Sequence, residues 1–290
     1  MAYPFGVESA ERTLSSVRRL GRPSWWQSSV SRHRSLPGAF PAERRKAHPR
    51  VLLEPLEPRY LLSADLTPFI VNMVGPDGDD FTLRFDQASG FLQVIDDVTG
   101  EVVDQKLLQE TSEVRIVGTE QDDRLTVDMA NFVLPGGITF EGGLGSDELN
   151  VINGAFESAT HHASAFGVGD LDLFDGTTTE KISYNAVEAV KDHSVAADRA
   201  FANETGVSQS IRLTDDATPG DNVFNVDSAG TIGFAPISFA SPTSSLSLIA
   251  GDSGDTITVD DSASGAAALI EVQGGLGADT LLGSDSANTW

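Results

Sequence analysis

Residues 142–150 read GGLGSDELN and residues 274–282 read GGLGADTLL, and the likeness extends upstream of the glycines. Leu125-Thr126-Val127-Asp128 returns as Ile257-Thr258-Val259-Asp260 and Gly142 returns as Gly274, so both pairs are offset by 132 residues (259 − 127 and 274 − 142). Inside each copy the interval from that strand-like phrase to the next apolar burst is also the same: Leu125 to Leu149 and Ile257 to Leu281 are both 24 residues. Self-similarity at fixed spacing is the mark of a repeat architecture, in which each unit buries its apolar face against a neighbour.

From Phe81 onward, apolar residues recur at every second position in short bursts, among them Phe81/Leu83/Phe85, Ile138/Phe140, Leu171/Leu173 and Ile211/Leu213. Alternation sends successive side chains to opposite faces, so each burst reads as a half-buried strand. Gly, Asp, Asn, Ser and Pro separate the bursts and supply positive φ or side-chain-to-backbone hydrogen bonds in turns. Helical spacing is confined to residues 185–193, where one short helix is expected. The expected class is all-β. A parallel β-solenoid, β-helix-like, and antiparallel β-sandwich repeats both fit this rhythm. The 24-residue interval, matching one coil, favours the solenoid. The expected organisation is a disordered basic leader at 1–50, a linker at 51–67, a first β-repeat module at 68–200 and a second, apparently truncated, at 201–290.

Charge divides the chain in the same way. Residues 1–60 carry 11 Lys and Arg against 5 Asp and Glu, a net of +6, which leaves −30 of the total −24 on residues 61–290. An acidic surface of that strength repels a polyanion, so nucleic acid is excluded as a partner for the acidic part. With no cysteine, a disulfide scaffold and a thiolate metal site are both excluded. No stretch approaches the ~20 apolar residues of a membrane-spanning helix. The leader also lacks the apolar core of a conventional secretory signal, since Val51-Leu52-Leu53 and Tyr60-Leu61-Leu62 are short and separated by Glu54 and Glu57. Rich in Arg and Ser and poor in acid, it would also suit an organelle transit peptide, as a lesser alternative.

Acidic turns are the candidates for chemistry. Both nonapeptides fit G-G-x-G-x-D-x-(apolar)-x and resemble the calcium-binding nonapeptide of RTX β-rolls; that resemblance implies Asp147 and Asp279 as calcium ligands. Calcium takes 6–8 oxygens, more than one turn supplies. If turns one coil apart stack, Asp123 (or Asp122) lies near Asp147, and Asp255 near Asp279, which completes the candidate metal set of Asp147, Asp279, Asp123 and Asp255. The plainer reading is that Gly and Asp are good turn formers on an acidic surface. The doublets Asp79-Asp80, Asp96-Asp97, Asp215-Asp216 and Asp260-Asp261 recur too regularly for one glycosidase-like active site and read as turn chemistry. His161, His162 and His193 read as solvated loop histidines, and no residue is nominated as catalytic.

Residues 56–65, LEPRYLLSAD, stand where the charge changes sign. They resemble the LEPR-XLL segment of very large, repetitive bacterial surface or secreted proteins, matching at Leu56, Glu57, Pro58, Arg59, Leu61 and Leu62. The phrases at 113–128, 134–140 and 283–290 are similar to the filamentous-haemagglutinin-like and RTX-like repeats of such proteins. The resemblance implies export to the cell surface or matrix and a structural or adhesive role, with surface or matrix components as partners and calcium as the one cofactor. Two other readings remain open: a calcium-dependent folding module, and a β-helical lyase or hydrolase acting on polysaccharide.

Overall fold

In the computed structural model, residues 66–283 are described apart from 76–77, 131, 135, 217, 219, 230–232, 261 and 264–268. The basic leader and the LEPRYLLSAD segment lie outside the described residues. The described strands all fall within one compact unit, Tyr60–Trp290.

The chain shuttles between two open sheets, one of nine strands and one of eleven. β1 (Thr67–Asn72) lies in the nine-stranded sheet, and β2 (Asp80–Asp86), β3 (Phe91–Asp96) and β4 (Val102–Leu107) form a meander in the other. β5 (Thr111–Val117) and β7 (Ile138–Glu141) return to the nine-stranded sheet, alternating with β6 (Arg124–Asp128) and β8 (Glu148–Ile152) in the eleven-stranded one. A second meander, β9 (Ala155–Ala165), β10 (Val168–Phe174) and β11 (Thr179–Asn185), lies in the nine-stranded sheet. It is followed by β12 (Ala189–Asp192) in the eleven-stranded sheet and β13 (Val195–Asn203) back in the nine-stranded one. The third meander, β14 (Ser210–Asp215), β15 (Val223–Ser228) and β16 (Ile237–Ala240), is again in the eleven-stranded sheet. β17 (Ser245–Ile249) and β19 (Leu269–Gln273) then alternate with β18 (Thr256–Val259) and β20 (Thr280–Leu282).

The all-β expectation holds, and no α-helix occurs among the described residues. Pairing between successive turns is parallel, and every antiparallel pair among the described residues falls inside one of the three meanders. Antiparallel sandwich repeats are therefore not what forms. The 24-residue interval is the simple turn: Leu125 pairs with Leu149, Val114 with Ile138, Leu246 with Ile270 and Ile257 with Leu281. Where a meander intervenes the chain returns later, as when Leu83 meets Val127 and Ile138 meets Ile182.

Alternation works as the sequence implies. β8 and β10 show strict buried/part-buried alternation, and the inward residues of both sheets, Leu83, Leu125, Phe140, Leu149, Leu171 and Phe239 among them, share one core. Burying each such side chain contributes about 1.5–3 kcal/mol. The 132-residue repeat is a repeat of topology as well: the strand order β18-β14-β15-β16 reproduces β6-β2-β3-β4, and β17 to β20 follow as β5 to β8 do.

The helix expected at 185–193 is instead turn and strand. Ala186 has φ 53, outside helical space, and β12 is hydrogen-bonded in parallel to β8 on one side and β16 on the other. Sheet pairing on both edges satisfies more backbone groups than one isolated helical turn, so tertiary context overrides the spacing.

Candidate functional site: a ladder of turn carboxylates

The Gly- and Asp-rich turns sit at the entrances to strands of the eleven-stranded sheet, and their carboxylates reach back one turn. The Asp123 N–H donates to Asp147 Oδ1 at 2.8 Å, the Asp79 N–H to Asp123 Oδ1 at 2.8 Å, and the Asp255 N–H to Asp279 Oδ1 at 2.9 Å. Two further rungs vary the theme: the Gln209 N–H donates to Asp255 Oδ1 at 2.6 Å, and the Asp147 N–H to Glu188 Oε2 at 2.7 Å. Just ahead of a strand the backbone amide has no ladder partner, and leaving it buried and unpaired costs about 1–3 kcal/mol. The carboxylate of the next turn supplies that partner.

The glycines make this approach feasible. A Cβ on Gly142 would stand 2.0 Å from the Ala186 carbonyl oxygen and 2.5 Å from Asp147 Oδ2, so both the neighbouring turn and the molecule's own ladder carboxylate occupy the space a side chain would need. Gly118 is alike, with the Gly142 oxygen at 2.0 Å and Asp123 Oδ2 at 2.8 Å. Gly143 and Gly145 have φ of 116° and 119°, where L side chains are strained.

The structure brings the four nominated metal residues together in two pairs, Asp123 with Asp147 and Asp255 with Asp279, each pair joined through a backbone amide. Their second oxygens differ. Asp123 Oδ2 accepts from the Thr119 backbone N–H and hydroxyl, whereas Asp147 Oδ2 and Asp255 Oδ2 are buried without a partner. Burial, with the nearby charges of Glu188, Asp123 and Asp122, pushes the Asp147 carboxyl up to about 6. Burial and the Asp279 charge push Asp255 up as well. Among the described residues, one carboxylate group is spaced to share an ion, and it is elsewhere: Asp215, Asp216 and Asp221, partly or fully exposed, with ligand atoms within 4.8 Å of one another.

The acidic doublets do not converge on one centre. Asp80 pairs with Arg124 at 2.6 Å, Asp97 accepts from the Thr82 hydroxyl, and Asp96 caps the turn amides of Val98 and Thr99. Asp260 accepts from the Ser262 amide and hydroxyl. These are turn-stabilising roles.

The histidine expectation is corrected at His162, a part-buried β9 residue whose Nδ1 lies 2.7 Å from Glu204 Oε1, and more strongly at His161. It is a strand residue of β9, 1% exposed, because alternation in β9 points it inward with Ala159 and Ala163. It belongs to a buried polar cluster the sequence reading missed. Arg199 of β13 donates to Asp192 at the end of β12 and to the Ser194 carbonyl, and its guanidinium carbon lies 5.6 Å from the Phe239 ring centre. His161 Nε2 is 3.3 Å from Asp192 Oδ2 without hydrogen-bond alignment, and its ring stacks on Phe239 at 6.2 Å. Burial pushes the Asp192 carboxyl up, but the Arg199 charge and the adjoining His161 ring outweigh it and hold the group below the usual carboxylate range. Burial pushes His161 below the usual imidazole range, against the opposing pull of Asp192. The available signal was an arginine on the inward parity of β13, two residues before Phe201; its partner is fixed by strand register, which the sequence does not display. A second buried acid, Glu180 of β11, accepts the Leu134 amide and is pushed up to about 8 by burial.

The ladder binds backbone to backbone across turns, and the buried cluster binds β9, β12, β13 and β16 where one module meets the next. No family model matches the chain, and neither a curated protein nor a solved structure matches it.

Proposed function

We propose that residues 66–283 are a structural, adhesive stalk module of an exported surface or matrix protein, built as a parallel β-solenoid whose turns are closed by stacked carboxylates. The observation that supports this most is the stacking itself: turns 24 residues apart pair in register, and the arrangement returns 132 residues later. Such architectures gain length and surface by adding equivalent turns. The LEPRYLLSAD segment favours export, and among the described residues no helix is long and apolar enough to cross a membrane. Surface accessibility tests the reading. The full chain, produced in a Gram-negative host bearing LEPR-XLL proteins, should be cleaved by protease added to intact cells; retention in the cytoplasm would remove the export reading.

A calcium-stabilised form of the same module is favoured by one observation, the unpartnered buried oxygens of Asp147 and Asp255, each one turn from another carboxylate. Melting followed by circular dichroism, with calcium and then with a chelator, separates the two. A midpoint that is unchanged by chelation would leave the ladder to hold the turns by hydrogen bonding alone.

A further inference from the structure

In the first module, β7 carries β11 on its outer edge, with β10 and β9 behind it, and β8 carries β12. Their counterparts in the second module, β19 and β20, are the last strands of their sheets among the described residues. The exposed edge is apolar: Leu281 is 43% and Leu282 48% exposed, whereas Leu149, the counterpart of Leu281, is fully buried. Its turn is also half-used. The Asp147 N–H is taken by Glu188 Oε2 and the Gly142 N–H by the Asn185 carbonyl, while the Asp279 and Gly274 amides have no acceptor among the described residues. Among the described residues no carbonyl crowds Gly274 as that of Ala186 crowds Gly142: the atoms nearest a Cβ there are those of the Asp279 side chain, from 2.6 Å.

We propose that the β19/β20 edge is a docking surface for a segment of the same kind as Ala155–Asp192: a three-stranded antiparallel meander added to β19 and a single strand added to β20. Strand counts select this occupant over a second copy of the whole chain. Beyond the module joint, the nine-stranded sheet continues with β13, β17 and β19, and the eleven-stranded sheet with β16, β15, β14, β18 and β20. In the first module the same inequality is levelled by three strands against one. The other free edge, β1 with β4, offers one strand on each sheet and leaves the step unfilled. The occupant's recognition groups follow from the internal template: an acidic residue ahead of its last strand to accept the Asp279 amide, as Glu188 does for Asp147, and a carbonyl facing Gly274, as Ala186 does for Gly142.

The inference rests on the module reading above, but its test is independent of export. Residues 283–290 are replaced by a duplicate of residues 151–194, so that it follows Leu282 directly, and hydrogen exchange is compared with the parent chain and with a scrambled replacement of the same composition. The duplicate should slow exchange of the Asp279–Leu282 amides by roughly tenfold or more and raise the melting midpoint, while the scrambled replacement leaves both at parent values. Changing the duplicated counterpart of Glu188 to Gln should keep most of the protection, and changing it to Ala should lose it at Asp279. Equal exchange in the duplicate and scrambled chains would overturn the proposal. So would protection of the same amides in the unextended parent on concentration into a larger sedimenting species, because a second copy would then be the occupant.

Discussion

Ile138–Glu141 with Glu148–Ile152 and Leu269–Gln273 with Thr280–Leu282 are two copies of one strand-turn-strand unit in different surroundings. In the first, Ile138, Phe140 and Leu149 are almost fully buried; in the second, Ile270 and Val272 are part-buried and Leu281 is exposed. The local geometry is nevertheless shared, down to the positive φ of Gly145 and Gly277 and the carboxylate reaching back to the preceding amide. The nonapeptide therefore specifies a turn by itself, while the energy of the unit comes from having a neighbour on both sides.

The comparison breaks most visibly in the core. Leu149→Ala should lower stability by about 2–5 kcal/mol, and Leu281→Ala by less than about 1, as urea midpoints would show; equal losses would mean that the second copy is as enclosed as the first. At the turns, Gly142→Ala should cost about 1–3 kcal/mol because the new Cβ meets the Ala186 carbonyl. Gly274→Ala should cost less, since the nearest atoms are those of the Asp279 side chain rather than a backbone carbonyl, and thermal melts of the pair measure the difference. Asp147→Ala leaves the buried Asp123 amide without an acceptor and should cost about 1–3 kcal/mol, against a smaller loss for Asp279→Ala at the exposed end.

The remaining effects are pH-linked. Asp147 titrates at about 6 in the fold against 3.8 in an unfolded chain, so the fold binds the proton more tightly and stability falls as pH rises through that window. Asp147→Asn should flatten the dependence between about pH 4 and 6. Glu180, raised to about 8 from 4.5, has the same sign. Glu180→Gln keeps an acceptor for the Leu134 amide and should stabilise the protein above pH 8 while changing little near pH 4. A urea-midpoint profile that follows the parent at every pH would show that these carboxyls are not buried as described.

Much of this was legible beforehand. Alternation located strands such as β2, β7, β10 and β14, though not β9 or β12, and the intervals of 24 and 132 residues gave the turn-to-turn spacing and the module repeat. Asp122 or Asp123 near Asp147, and Asp255 near Asp279, could be proposed from a count of residues because equivalent turns stack, and Asp123 and Asp255 donate to those carboxylates. What those carboxylates contact was harder to anticipate, since a Gly- and Asp-rich turn suits an ion and a backbone amide equally well in composition. The Asp192–Arg199–His161 cluster was missed because β9, with Ala at its inward positions, carries no apolar alternation to reveal which face of His161 is buried.

The sequence by itself determined the all-β class, the positions of alternating strands such as β2, β7, β10 and β14, and the equivalence of the turns, because period-two patterning and glycine stereochemistry are local properties. Only the tertiary structure decided the order of strands, with three meanders running back against the parallel stack, and only it assigned the ladder carboxylates to neighbouring amides. Those choices depend on which turn lies beside which, and a meander that returns to its starting strand leaves the same local pattern as one that moves on.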